Sequence, residues 1–405
     1  MSRIDAQARM ILAGTAFTLS IAMGLRQSIG LFMPDVTREL GISVSDFTLA
    51  IAMQNLAWGL GQPVVGALVP RIGFRPILVG TAALYVLGMV CFALSQGQLG
   101  VMMGAGILMG LSLAGTASAM AMAVASRPVP LAVRSTVLGV VSAAGSLGAM
   151  IAAPIGQGLL QGYGWRAGVW GFAALAALMI PAAFMASRVD RVTVSTAARD
   201  AERNGREVLR EAMRNPRYLT MVFAYSVCGL QLVFLTTHLP SYLVLCGMDP
   251  MLGAKALATI GAFNVLGSLA AGWAGQRASK PLMLGCIYTA RSLVLLWYFA
   301  TPPSPEATLV FAAFMGFLWL GVAPLLAGAV GEMYGLRWQP MLQGIAFMSH
   351  QVGSFLGAFG GGLLFDWLGN YTLAVQLGVG MGLFAGIMQI GFSGAWPGRR
   401  RERLA

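Results

Sequence analysis

Four ionisable side chains sit inside long apolar runs of this sequence: Arg26, His238, Arg291 and His350. Charged groups are costly in an apolar surrounding, so each of them is a functional candidate by default. No Asp or Glu falls near the middle of any apolar run, since Asp35, Asp46, Glu332 and Asp366 all lie towards run ends. The fixed charge at mid-depth is therefore positive and lacks a counter-charge. A carboxylate substrate would supply the anion. The Arg26 guanidinium offers forked donors suited to bidentate carboxylate capture; the competing reading bonds it to carbonyls of a broken helix or to the outer interface. His350, beside Gln351, could carry a coupling proton or hold an anion when protonated, and a neutral interhelical hydrogen bond fits it equally well. His238, just before Pro240, could relay protons or sit at an interface, while Arg291 reads as structural. Polar neighbours suited to complete a lining are Gln54, Asn55, Thr116, Asn264 and Ser268, with Trp319 as an apolar wall; each could instead bond or pack between helices.

No phosphate-binding loop, nucleophile triad or metal-ligand cluster accompanies these residues, so neither an enzyme nor a cofactor is expected. The elements that must position them are long and apolar. The chain is 57% hydrophobic and 10% charged over 405 residues, which indicates a polytopic all-α membrane protein. The expected spans are 10–33, 47–69, 76–94, 99–124, 137–160, 167–186, 218–245, 256–274, 281–299, 307–329, 341–365 and 371–392. Residues 188–217 carry arginines 188, 191, 199, 203, 206, 210, 214 and 217 and divide the chain near its midpoint. They form a hinge between a first bundle (1–187) and a second (218–405), with a surface helix expected over 199–214. The four cysteines show no metal-like spacing and read as small core residues.

The formal charge of +12 follows topology and does not call for nucleic acid. With the start of the chain inside, most basic residues fall in inner segments. Only Arg38, Arg166 and Lys255 are left to outer loops, which is the positive-inside pattern. Both termini are then cytoplasmic, and no cleaved signal peptide is expected.

The two halves repeat each other. Gly24 returns as Gly229, and Gly139, Gly148, Gly156 and Gly164 return as Gly344, Gly353, Gly361 and Gly369, each 205 positions on. Gly66 with Arg71 returns as Gly272 with Arg277, 206 on. Two parallel six-helix repeats with a site between them form a secondary-transporter plan.

Gly66-Ala-Leu-Val-Pro-Arg71-Ile-Gly73-Phe-Arg75 resembles the loop signature of the major facilitator superfamily, and Gly272-Trp-Ala-Gly-Gln-Arg277 is a weaker twin. Both copies depart from the pattern, with Pro70 and Gln276 where an aspartate is expected. The resemblance implies twelve helices in two pseudo-symmetric six-helix bundles. It also implies alternating access, a monomer in the bacterial inner membrane, and a conformational role for Gly66, Arg71, Gly73, Arg75, Gly272 and Arg277. Gly24-Leu-Arg-Gln-Ser-Ile-Gly-Leu-Phe-Met-Pro34, Phe234-Leu-Thr-Thr-His-Leu-Pro240 and Ser349-His-Gln-Val-Gly353 resemble the monocarboxylate-porter and oxalate–formate-antiporter branch. That branch's arginine in span eight corresponds here to Ser268, and its basic residue in span eleven to His350. Spans one, four, seven and ten line the cavity in the superfamily, which implies that Arg26 and its repeat twin Gln231 face it.

The expectation from sequence is a transporter of a small organic anion. Arg26, Gln231, Asn55, Asn264, Ser268, Trp319 and Gln351 contact the substrate, and His350 and His238 couple protons or a counter-anion. An effluxer of neutral or anionic compounds and a transporter-like membrane sensor are the alternatives.

Overall fold

The computed structural model describes residues 5–192, 204–319 and 321–393; the hinge arginines Arg199 and Arg203 and the basic stretch from Arg399 lie outside the described residues. Among the described residues helix follows helix, from Ala6 at one end to Phe392 at the other, and no strand occurs. Spans one to six run over Ala6–Ser28, Val44–Ile72, Phe74–Ala93, 98–125, 131–163 and 165–186. Spans seven to twelve run over Pro216–Leu245, Pro250–Ala274, Lys280–Ala300, 305–334, 336–368 and Thr372–Phe392. Among the described residues ten stretches are long and apolar enough to cross a membrane; dividing Pro305–Phe365 at Gly335 and adding Val44–Ile72 gives the twelve. A helix of 23 residues such as span one rises about 35 Å, enough for a hydrocarbon core of about 30 Å.

Local chemistry fixes where these helices begin. Asp5 accepts the Ala8 N–H ahead of span one at 2.6 Å. Ser43 and Asp46 form a reciprocal capping box at the start of span two, and Ser304 caps span ten ahead of Pro305. The observed limits differ from the apolar runs at several ends; spans five and eight begin earlier, at Leu131 and Pro250, and two departures follow breaks in the backbone. Span one stops at Ser28, passes through a 3-10 turn (Ile29–Phe32) and leads into a separate polar helix, Met33–Leu40. Spans ten and eleven extend beyond 307–329 and 341–365 and meet at Gly335, whose φ of 77° only glycine adopts easily. Polar residues such as Glu332 and Arg337 end an apolar run, but a helix continues until its backbone breaks.

Backbone carbonyls set the spacing of the spans. A Cβ on Gly148 would collide with the Ser20 carbonyl, holding span five against span one. The twin contact, Gly353 on the Ser226 carbonyl, holds span eleven against span seven. The two halves meet by the same logic. Gly66 lies on the Pro340 carbonyl and Gly272 on the Ser135 carbonyl, while Gly139 lies on the Ser268 carbonyl and Gly344 on the Gln62 carbonyl. Both pairs keep the 205/206 register, so the interface has a pseudo-two-fold axis. The hinge contains a helix, Gly205–Ala212, with a capping box of Asn204 and Glu207, and it buries Val208 and Ala212. Of the cysteines only Cys228 is buried and Cys91 is half-buried; Cys286 is exposed on span nine, and Cys246 is exposed in the turn that follows span seven.

Candidate functional site

Arg26 projects from the last turn of span one towards span two, where its Nη2 donates to Asn55 Oδ1 at 2.6 Å. The guanidinium carbon stands 5.0 Å from the centre of the Trp58 ring, and its Nε is buried with no acceptor. Asn55 and Trp58 are three residues apart on one helical face. The Trp58 indole N–H is fixed by Gln62 Oε1 at 3.1 Å, which sets the plane that Arg26 covers. Asn55 is also where the halves join. Gln351 Nε2 of span eleven donates to the Asn55 carbonyl at 3.1 Å and to its Oδ1 at 3.2 Å.

The wall on the second half is aromatic. Phe347 packs on Trp58 with centroids 4.5 Å apart, and it stacks on His350 at 5.7 Å with an interplanar angle of 8°. Tyr225 of span seven lies 4.5 Å from the His350 ring. His350 Nδ1 is 3.4 Å from both Gln351 Oε1 and Ser354 Oγ. Arg26, Asn55, Gln351 and His350 are thus brought together. The cluster they form with Trp58, Phe347 and Tyr225 joins one arginine to neutral amides and aromatic rings, with no carboxylate among the described contacts.

Other expected residues lie elsewhere. Gln231 is buried and turned outward, donating to Ser292 Oγ at 3.0 Å and the Gly378 carbonyl at 2.9 Å. Gln54 is committed to the Ala105 carbonyl of span four, and Thr116 bonds back to Ser112 in its own helix. Ser268 is buried at the contact of spans eight and five, its hydroxyl unpartnered, and Asn264 is buried one turn earlier. Trp319 sits at the break of span ten and packs against both main apolar clusters. His238 is held inside the second half. Its Nε2 donates to the Ala358 carbonyl at 2.9 Å, and Nδ1, left as acceptor, lies 3.3 Å from the Tyr371 hydroxyl. Ala358 belongs to a π-helical turn, Leu356–Gly360, where the backbone departs from the α-helical ladder.

Arg291 is wholly buried and donates to Cys228 Sγ at 3.0 Å and more loosely to the Cys228 carbonyl at 3.4 Å. Its repeat counterpart is Tyr85, whose hydroxyl donates to the Ala22 carbonyl at 3.0 Å. Ala22 and Cys228 are themselves 206 apart, so both side chains tie a peripheral span to a central one.

At the end that carries the hinge, further bonds cross between the halves. Ser126 Oγ donates to Gln339 Oε1 at 2.9 Å and Arg127 Nη2 to the Leu336 carbonyl at 3.1 Å. Burial pushes the Arg127 guanidinium down to about 10, opposed by nearby Asp190, and it stays charged at neutral pH. Gln276 accepts the Ser135 N–H at 3.0 Å and donates to the Leu131 carbonyl at 2.8 Å, capping the start of span five from the other half. Asp190 accepts the N–H groups of Phe74 and Arg75 at 2.8 and 2.9 Å, directly after the Gly73 corner (φ 81°). These bonds between the halves run from the level of Asn55 to the hinge end. Arg71 and Arg277 are exposed at that end, and Arg277 covers the ring of Trp273 at 4.1 Å.

Sequence reasoning missed Trp58, Tyr225 and Phe347, because aromatic residues in apolar runs carry no polar mark. Their spacing was the available signal: Trp58 lies three residues from Asn55, and Phe347 lies three and four from His350 and Gln351.

The Major Facilitator Superfamily model matches residues 15–358. Monocarboxylate transporter 13 of Rattus norvegicus is 25% identical over 375 residues, covering 90% of this chain and 83% of the relative. Monocarboxylate transporter 11 of Homo sapiens is 26% identical over 405 residues, covering 96% and 83%. The uncharacterized MFS-type transporter YcxA of Bacillus subtilis (strain 168) is 30% identical over 172 residues, 39% of each chain. Among solved structures, the proton:xylose symporter XylE superposes with a TM-score of 0.74 at 13% identity, covering 96% of this chain and 97% of that one. FucP in the outward conformation gives 0.69 at 15% identity, covering 95% and 97%.

Proposed function

The chain belongs to the Major Facilitator Superfamily, and from that premise we propose that it carries a small organic anion, a monocarboxylate, by alternating access. One observation carries the reading: a cation at the join of the two halves, held by a neutral amide and walled by aromatic rings. A substrate carboxylate replaces Asn55 as the acceptor of Arg26, and its apolar part lies against Trp58 and Phe347. Asn55 and Gln351 then report occupancy across the interface, since the amide that releases Arg26 is also bonded to the second half. His350 is the coupling group, taking a proton as the anion enters or working with a counter-anion. Asn264, Ser268 and Trp319 support the path around this centre, Gln231 and His238 hold the second half together behind it, and the hinge-end glycines and arginines govern closure. The relatives' names, monocarboxylate transporters, support the substrate class. The setting is a bacterial inner membrane with cytoplasmic termini, and the working unit is a monomer.

The test is a thermal-stability screen of the purified protein with mono- and dicarboxylates, aromatic acids and cationic drugs, on wild type and Arg26→Ala. A ligand that binds the folded state raises the melting temperature by mass action. Carboxylates should stabilise wild type and fail on Arg26→Ala. Stabilisation by neutral or cationic compounds that ignores Arg26 would replace this reading with efflux. Binding without counterflow in proteoliposomes would make the protein a sensor.

A further inference from the structure

The rings beside Arg26 are held in fixed orientations by the elements that carry them. Trp58, Phe347 and Tyr225 are only 4%, 6% and 8% exposed. Trp58 is aligned by Gln62, whose own amide is anchored on the Ala114 carbonyl of span four at 2.8 Å. On the second half, Gly229 of span seven lies directly on the His350 carbonyl, and Ser349 Oγ donates to the Val222 carbonyl at 2.8 Å. Those two contacts bracket Tyr225 by about one helical turn on either side, which brings its ring to His350. Tyr225 also reaches Phe347, with centroids 6.5 Å apart. The rings thus run without a break from Trp58 on the first half, through Phe347, to His350 and Tyr225 on the second.

Once a carboxylate sits on Arg26, these rings decide what the rest of the substrate can be. The guanidinium carbon is 5.0 Å from the centre of the Trp58 ring, so the group attached to the carboxylate enters the series at Trp58 and Phe347. It must replace whatever ring contacts it displaces. An aliphatic tail restores buried area alone, whereas an aromatic tail also restores edge-to-face and offset contacts, which stabilise beyond their area. A very short tail leaves space unfilled, and a hydroxylated one turns a polar group onto carbon. A second carboxylate would lie against ring faces, which carry the negative part of the aromatic quadrupole.

We propose that the substrate is an aromatic monocarboxylate, with its carboxylate on Arg26 and its ring between Trp58 of the first half and Phe347 and Tyr225 of the second. This rests on the carboxylate reading of Arg26 and narrows it to one chemical class. Trp58 and Phe347 then set which carboxylate is carried, while Arg26 sets that a carboxylate is carried at all. Because the rings come from both halves, the aryl group as well as the charge senses how the halves are placed.

The experiment is titration calorimetry on full-length protein in detergent, with benzoate, cyclohexanecarboxylate, acetate and phthalate at matched ionic strength. Benzoate should bind wild type about tenfold or more tighter than acetate, and about threefold tighter than cyclohexanecarboxylate. Phthalate should bind more weakly than benzoate. Trp58→Leu and Phe347→Leu should each weaken benzoate by about tenfold and change acetate by less than about threefold. Acetate binding that persists in these variants shows that their sites are folded. Trp58→Phe, which keeps a ring, should retain most of the preference for benzoate. Phe384→Leu, an aromatic change on the exposed face of span twelve, should behave as wild type. Arg26→Ala should bind none of the four. The aromatic assignment is overturned, with the carboxylate reading intact, if binding depends on Arg26 but acetate or cyclohexanecarboxylate matches benzoate. It is equally overturned if phthalate matches benzoate, or if both leucine variants keep the wild-type preference. Carboxylate binding that ignores Arg26, or no binding by wild type, overturns both readings together.

Discussion

Replacing Asn55 by leucine separates holding the cation from binding the substrate. In this structure Arg26 donates to Asn55 Oδ1 at 2.6 Å and has no other described acceptor. A hydrogen bond from a charged donor contributes about 1.5–3 kcal/mol. An arriving carboxylate must first break that bond, so wild-type affinity is reduced by its strength. Leucine has nearly the same shape and no acceptor. The unliganded protein should then lose stability by roughly that amount, while the liganded protein keeps its forked carboxylate bonds. Carboxylate affinity should therefore rise by about 10- to 100-fold, at about 1.4 kcal/mol per tenfold. The join survives, because Gln351 also donates to the Asn55 main-chain carbonyl at 3.1 Å, which leucine retains. Titration calorimetry with a small monocarboxylate measures the change. Unchanged or weaker affinity in Asn55→Leu would refute the reasoning and make Asn55 a direct ligand of the substrate.

Gly148→Ala and its twin Gly353→Ala drive a Cβ into a neighbouring carbonyl and should each cost about 1–3 kcal/mol in thermal unfolding, whereas Gly380→Ala, with nothing nearby, should be silent. Gln276→Ala removes two bonds that cap span five from the other half, worth about 1–2 kcal/mol together. The open hinge end should gain about tenfold in population, read as faster modification of a cysteine placed at the buried Ser135. Arg291→Met should keep or raise the melting temperature, because a wholly buried cation with no described acid is replaced by a side chain of similar length. Arg291→Ala, which leaves a cavity, should lower it by several degrees.

Backbone approach was the legible part of this fold. Glycine repeats at 205 and 206 appear in the sequence because Gly148, Gly353, Gly66 and Gly272 each face a carbonyl that admits no Cβ, so their identity is forced wherever the helices touch. The direction in which a side chain points was less legible. Gln231 is the repeat partner of Arg26, yet it turns to Ser292 and Gly378, since a small change of phase around a helix moves a side chain from the central join to the periphery. Gln54 and Asn55 are adjacent in sequence and diverge for the same reason, one to span four and one to the join. The lengths of spans ten and eleven were hidden because helix ends follow the glycine corner at 335, which hydropathy does not register.

The symmetry of the frame gives meaning to the places where the chemistry is asymmetric. Ser20–Gly148 and Ser226–Gly353 make the same contact in both halves, and Gly66–Pro340 repeats as Gly272–Ser135 across the interface. At the level of the join the register no longer predicts residue type. Arg26 has an outward-turned glutamine as its partner, His350 and Gln351 have Gly145 and Ser146, and Tyr85 is answered by Arg291. A repeat that serves packing alone has no reason to keep one cation at the interface and bury the other behind span seven. The first half thus brings the cation and its amide, and the second brings the histidine and most of the aromatic wall. Neither half completes the proposed site alone. A ligand that engages both must therefore respond to how the halves are placed, which is the coupling that alternating access requires.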